Sequence, residues 1–108
     1  MFARMIQLVA KPGRGKELQK TMNDRALQTL KEQPGLVEAI LLVPETEQDQ
    51  LVGISIWNSK SDADRFTQGQ GEQLKEFYKP LLQAEPIIRS FSVESSTNRE
   101  AASRAAAR

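Results

Sequence analysis

The tryptophan at position 57 is the first residue in this chain whose type and position suggest a ligand site. Trp57 ends the apolar run LVGISIW, residues 51–57, and shares one face of that predicted strand with Gly53 and Ser55. A large ring beside a glycine can leave a void for a ligand, and the indole N–H offers one donor. The alternative is an aromatic residue that caps the core and donates to a backbone carbonyl.

Three further aromatic residues fall on helical segments that should cover the same face of the sheet. Phe66, Phe77 and Tyr78 could wall an aromatic pocket, with the Tyr78 hydroxyl as its polar group. Helical spacing of this kind is more often typical of core packing, and that reading is favoured for the two phenylalanines. For Tyr78 the two readings stay open, because its hydroxyl needs a partner or water.

Polar residues also interrupt two apolar strand patterns. Gln7 stands among Ala3, Met5 and Val9 on a strand expected to be central, so a buried Gln7 must find a partner, which could be a ligand, a side chain or a second subunit. A structural hydrogen bond is the favoured reading. Arg4 and Arg89 could each fix an anionic substrate oxygen. The favoured alternative places their stems on the core and their charges in water.

The residue types that the chain lacks exclude several classes of chemistry. Among its 108 residues there is no cysteine and no histidine, which removes thiolate nucleophiles, imidazole bases and the usual ligands of zinc and haem iron. Glu45, Glu47 and Asp49 alternate in one loop, but the residues that follow do not fit a calcium loop, and a solvated turn is predicted. We therefore predict no metal and no cofactor.

The charge balance bears on the partners. Lys and Arg number 15 against 14 Asp and Glu, a net charge of +1, which gives no reason to expect nucleic acid or an anionic membrane as partner. The N-terminal MFARMIQLVAKPG has too short an apolar run for a signal peptide, and no later run is long enough to span a membrane. We expect a soluble, cytoplasmic protein.

The elements that must position these residues follow from periodicity and from turn residues. Period-two apolar runs bounded by Pro, Gly and acidic clusters predict strands, and apolar residues three and four apart predict helices. Ser59 or Ser61 can cap the second helical region, Gly69 and Gly71 should interrupt it, and Pro80 should kink or end it. The predicted order is strand 2–10, helix 16–33, strands 36–43 and 51–57, helical segments up to about residue 82, and strand 87–93.

This order predicts an α+β fold of the ferredoxin-like βαββαβ type, with a four-stranded antiparallel sheet and both helices on one face. A sheet covered on one face only should alternate apolar and polar residues. Strands 36–43 and 51–57 instead carry apolar residues on both faces. Because a monomer rarely exposes a large apolar patch, a homodimer closed through the free sheet faces is predicted.

Several features together resemble the antibiotic biosynthesis monooxygenase (ABM) superfamily of dimeric α+β barrels. They are the order of elements, the loop that opens the first helix, PGLVEAILL at 34–42, and a tryptophan that ends strand three before SKSDADRF at 59–66. The resemblance covers about residues 2–94. It implies a homodimer with a small-molecule pocket between sheet and helices. We therefore expect one domain over 1–94 and a polar Ala/Arg-rich tail over 95–108, frayed or locally helical.

The branches of this superfamily imply different site residues. Its haem-degrading members use a histidine on the second helix, an asparagine in strand one and the strand-three tryptophan. Only Trp57 matches, and the chain has no histidine. Its cofactor-free polyketide members act on electron-rich phenolates and hold the reacting oxygen with an asparagine four residues before the tryptophan. Gly53 occupies that position here, so the expected donor is missing.

Two functions remain open from the sequence. The first is a cofactor-independent monooxygenase, an oxidoreductase acting on a small phenolic or quinol-like compound, with Trp57, Tyr78, Gln7, Phe66 and Phe77 as the substrate-binding residues. The second is a dimer of the same fold without enzyme activity, which binds a small apolar or aromatic ligand or serves as an assembly module. Family resemblance favours the first, whereas Gly53 and the lack of a general base favour the second.

Overall fold

The computed structural model describes residues 1–98, and its centre is a sheet of four antiparallel strands. The strands follow the order β2-β3-β1-β4, so β1 and β3 are central and the ferredoxin-like α+β prediction is confirmed. The second and third strands form an antiparallel hairpin, because β2 pairs directly with β3. The strands are β1 (Phe2–Val9), β2 (Leu36–Leu42), β3 (Gln50–Trp57) and β4 (Ile87–Ser92).

Two helical regions link the strands, and each contains a π-helical turn. The first consists of α1 (Gly15–Thr21), a π turn (Met22–Ala26) and α2 (Leu27–Leu30). The second consists of α3 (Lys60–Phe66), a π turn (Thr67–Gly71), α4 (Glu72–Tyr78) and a 3₁₀ turn (Lys79–Leu81).

The ends of the second region follow from its capping residues. Ser59 caps α3, because its hydroxyl accepts the Asp62 N–H at 3.2 Å. The predicted interruption at Gly69 and Gly71 is confirmed, because α3 ends at Phe66 and α4 begins at Glu72. A π turn that contains both glycines joins the two helices, so the helical path continues. Pro80 lies in the 3₁₀ turn directly after α4, where an early end of the helix was predicted.

The helices cover one face of the sheet, which we call the inner face, and enclose the core with it. Even-numbered β1 residues such as Leu8 point to this face, opposite Leu51 of β3, and both are about 1% exposed. Leu18 of α1 is fully buried. The other members of the cluster include Met22, Ala26, Leu74, Tyr78, Leu81 and Leu82.

The opposite face of the sheet, which we call the outer face, is apolar and uncovered in the single chain. Its central row is Ile40, Ile54 and Met5, which lie side by side in the strand register, and Arg89 ends the row on β4. Toward the edges Leu42, Ile87 and Phe91 are 39% to 56% exposed. The outer face thus carries apolar residues, as the strand patterns of the sequence predicted. The homodimer derived from it stays a prediction.

The acidic loop between β2 and β3 is fixed to the entry of α1. The Asp49 carboxylate accepts the N–H groups of Gly13 at 3.1 Å and of Gly15 at 3.0 Å. Gly15 has no room for a side chain, since a Cβ there would collide with the carbonyl oxygen of Gln48. Glu45 and Glu47 of the predicted solvated turn are exposed, whereas Asp49 is only partly exposed because its carboxylate holds the loop before α1.

The described part of the chain, residues 1–98, has no helix long and apolar enough to cross a bilayer. The predicted polar Ala/Arg-rich tail over 95–108 falls mostly on 99–108, outside the described residues.

Candidate functional site

A cavity of about 390 Å³ lies between the inner face of the sheet and the helices. This volume is within the range of small-molecule sites, roughly 300–1,000 Å³. Apolar side chains from all four strands and from both helical regions form most of its wall. They include Ile6, Met22, Leu27, Leu30, Leu41, Phe66, Leu74 and Ile88.

Gly53 contributes to this cavity by having no side chain. It lies on β3 between Ile6 of β1 and Leu41 of β2, all three on the inner face. A Cβ placed on Gly53 would come to 3.0 Å from Cγ2 of Ile6, closer than side chains normally pack. The glycine therefore keeps space open at the level of the sheet and offers the cavity no side-chain donor.

Trp57 lines the cavity and is itself buried, with 1% of its surface exposed. Its indole N–H donates to the Ser55 hydroxyl oxygen at 2.9 Å, and its ring lies 5.6 Å from that of Phe66, centroid to centroid. The indole partner is therefore a side chain and not the backbone carbonyl of the core-capping alternative. Trp57 therefore contributes its ring to the cavity wall, but its indole N–H is engaged by Ser55.

The Tyr78 hydroxyl is a polar group of the wall that has no protein partner in the described part of the chain. Tyr78 is 8% exposed and lines the cavity, and its hydroxyl makes no hydrogen bond to protein within residues 1–98. Burial raises the pKa of Tyr78, and the negative charge of Glu72 raises it further. The phenol therefore stays protonated at neutral pH and can donate a hydrogen bond to a ligand.

Arg4 also lines the cavity, which corrects the expectation that its charge lies in water. Its side chain is 18% exposed and is held by the second helical region. One terminal nitrogen donates to the Asp64 carboxylate at 3.0 Å, and the other donates to the Thr67 hydroxyl at 3.1 Å. Strand parity could have indicated this position, since residues 4, 6 and 8 share the inner face. Arg89 is exposed beside Phe91, as expected.

Two of the predicted site residues lie outside the cavity. Gln7 is exposed on the outer face, because odd positions of β1 point away from the helices, so it needs no buried partner. Phe77 is 50% exposed, and the Arg25 guanidinium stacks over its ring at 3.9 Å. Neighbouring helix positions differ by about 100° in direction, so Phe77 turns outward where Tyr78 turns inward. The cavity brings together Trp57, Phe66 and Tyr78 only.

The fold and cavity define the class of this protein, which belongs to the antibiotic biosynthesis monooxygenase (ABM) family. The family model matches residues 1–80, the part of the chain that carries β1, β2, β3, the first helical region and the second helical region through α4. None of the curated proteins matches the chain in sequence.

Solved structures similar to this chain share its fold at low identity. A putative antibiotic biosynthesis monooxygenase from Deinococcus radiodurans has a TM-score of 0.79 at 13% identity, over 91% of this chain and 97% of its own. NE2512 from Nitrosomonas europaea, a protein of unknown function, has a TM-score of 0.77 at 18% identity, over 89% and 91%. SnoaB, a cofactor-independent oxygenase from Streptomyces nogalater, has a TM-score of 0.75 at 16% identity, over 90% and 96%. Such identities establish the fold alone.

Proposed function

We propose that this protein is a cofactor-independent monooxygenase that acts on a small phenolic or quinol-like compound. The observation that carries the proposal is the apolar cavity beside Trp57, whose wall has few polar groups and includes the unpartnered Tyr78 hydroxyl. Membership in the family and the similarity to the oxygenase SnoaB support it.

The chemistry requires little of the protein because the substrate supplies the electrons. The ionised phenol or enol passes electrons to dioxygen, the carbon that is a ring CH₂ in its keto tautomer becomes C=O, and the second oxygen atom leaves as water. The apolar wall keeps bulk water from the reacting atoms, and the Tyr78 phenol can donate to the oxygen on which negative charge develops. Trp57 and Phe66 would hold the flat ring system.

The proposal includes a homodimer formed through the outer face. The partly exposed apolar row of Ile40, Ile54 and Met5 supports this arrangement, since a second copy would remove it from water. Gln7 and Arg89 would then lie within the interface or at its rim.

One observation favours the second candidate, a dimer that binds a small aromatic ligand without reaction. Gly53 supplies no donor to the cavity, and the Trp57 N–H is engaged by Ser55. Loss of one donor of this kind can reduce a catalytic rate by about a hundredfold or more.

Oxygen uptake by the purified protein distinguishes the two candidates. The substrates are a panel of hydroquinones and anthrones, and the variants are Trp57→Ala and Tyr78→Phe. Phe77→Leu serves as the matched control, because it removes an aromatic ring outside the cavity. The oxygenase proposal expects uptake by the wild type and the control, with a loss in both cavity variants. Uptake no faster than the uncatalysed background with every compound refutes it and leaves the binding function.

A further inference from the structure

We infer that Arg4 makes the cavity selective for a ligand with an anionic oxygen. The inference rests on the proposed function in one respect only, namely that a small aromatic compound enters this cavity. It assigns the specificity to the single cationic side chain that the central strand β1 presents to the cavity.

The geometry leaves part of the Arg4 guanidinium available to a ligand. Of its five N–H donors, the one on Nε points to the Ser90 hydroxyl at 3.4 Å, one on Nη1 to Thr67 and one on Nη2 to Asp64. One N–H on each terminal nitrogen has no partner among residues 1–98, and these two can donate to ligand oxygens. The Phe2 ring lies 5.0 Å from the guanidinium carbon and helps to fix its orientation.

The charge around Arg4 is positive although Asp64 pairs with it. The same carboxylate also accepts from Lys60 at 2.9 Å, so two cations share one anion and the cluster carries a net charge of +1. The Asp64 pKa is lowered by Lys60 first and by Arg4 second, so this carboxylate is ionised at neutral pH.

The other charged groups of the cavity wall form no ion pair with Arg4. Lys75 and Glu85 pair with each other at 3.6 Å. Glu72 is the remaining carboxylate, and it is the charge that acts on Tyr78. The cavity therefore has a cationic group in Arg4 and a neutral phenol donor in Tyr78.

Burial converts this arrangement into a preference between ligands. Arg4 is mostly withdrawn from water, and a cation in such a setting interacts more strongly with an anion than it would at an exposed site. A phenolate, enolate or carboxylate oxygen can take the free N–H pair, whereas a neutral ether of the same shape gains only a weak contact. A charged hydrogen bond of this kind corresponds to an affinity difference of about tenfold or more.

A matched pair of probes tests the preference. One is a hydroxynaphthoquinone whose hydroxyl is ionised at neutral pH, and the other is its methyl ether. Trp57 is the only tryptophan, so quenching of its fluorescence, corrected for absorbance by the probe, reports binding in the cavity. We expect the wild type to bind the ionised probe about tenfold more tightly or better.

Two variants separate a binding role of Arg4 from a structural one. Arg4→Met and Asp64→Asn break the same ion pair and tether between β1 and α3. Arg4→Met should bind the two probes equally, whereas Asp64→Asn should keep or increase the preference, because its arginine loses the compensating anion. An equal loss of preference in both variants overturns the inference. If Arg4→Met fails to fold, the wild type and Asp64→Asn still decide it.

The outcome is independent of catalysis. A preference for the ionised probe without oxygen uptake supports the role of Arg4 and refutes the oxygenase. Oxygen uptake with equal affinity for both probes refutes the role of Arg4 and keeps the oxygenase. No quenching by either probe overturns the role of Arg4 together with the cavity as a binding site.

Discussion

A single charge on the outer face should separate the proposed dimer into monomers. Ile54 lies on β3 with Ile40 on one side and Met5 on the other, so it occupies the middle of the apolar row. In an interface related by a twofold axis, this residue would occur twice. Ile54→Glu would then bury two carboxylates, and the only nearby cation of the row, Arg89, is separated from Ile54 by Met5.

The expected magnitude follows from the cost of a buried, unpaired charge. Each such charge costs about 3 kcal/mol or more, so the two copies together cost about 6 kcal/mol. At about 1.4 kcal/mol per factor of ten, the dissociation constant should rise by roughly four orders of magnitude. The monomer should keep its fold, because Ile54 is partly exposed in the single chain.

Sedimentation velocity over a range of concentrations measures this effect. The wild type should sediment as a dimer at micromolar concentration, and Ile54→Glu as a monomer with an unchanged circular dichroism spectrum. Asn23→Glu adds the same charge at an exposed position on the helical side, so it should stay dimeric. A wild type that is monomeric at all concentrations, or an Ile54→Glu variant as dimeric as the wild type, would show that the outer face is not the interface.

The remaining predictions concern stability and protonation. Gly35 has φ of 86°, and a Cβ there would collide with the Asp62 side chain, so Gly35→Ala should lower the free energy of unfolding by about 3 kcal/mol. Gly69→Ala meets no neighbouring atom and replaces a glycine in the helical path, so it should raise the free energy of unfolding by about 0.5–1 kcal/mol; equal denaturation midpoints for the two variants would contradict this reasoning. Tyr78 is the only tyrosine, so near-ultraviolet phenolate absorbance should give a midpoint above pH 10.0, and a midpoint at or below it would show that the phenol is not buried. The pKa of Tyr78 is higher in the folded chain than in the unfolded chain. The contribution of the protonated phenol to the free energy of unfolding is therefore complete below about pH 10 and is lost as pH rises through the folded pKa. Tyr78→Phe should remove this pH dependence.

Local sequence patterns were sufficient for the elements and their order. Each of these signals depends on residues that are close together in the sequence. They are the period-two pattern of the strand at 51–57, the helix cap at Ser59 and the helix end at Pro80. The same patterns predicted an interruption at Gly69 and Gly71 but not its form. The low helix propensity of glycine does not determine whether the chain leaves the helical path or continues through a π turn, as it does at Thr67–Gly71. In the folded chain the helical path through Gly69 and Gly71 continues on to α4, where Leu74 and Tyr78 pack into the core.

The candidate site was only partly predictable. Trp57, Phe66 and Tyr78 meet at the cavity as their spacing indicated, but the direction of Phe77 depends on the orientation of α4 about its axis. The position of Gln7 depends on whether odd or even residues of β1 face the helices, since one residue along a strand changes the face on which a side chain lies.

The sequence alone determined the family, the order of strands and helices, the apolar character of both sheet faces and the absence of histidine and cysteine chemistry. These properties depend on residue types and on spacings of two to four positions. The tertiary structure alone decided that Gly53 opens a cavity instead of weakening a strand, and that Arg4 faces that cavity instead of water. Arg4 is 60 residues from Asp64 along the chain, and only the packing of α3 on β1 brings the two charges to 3.0 Å.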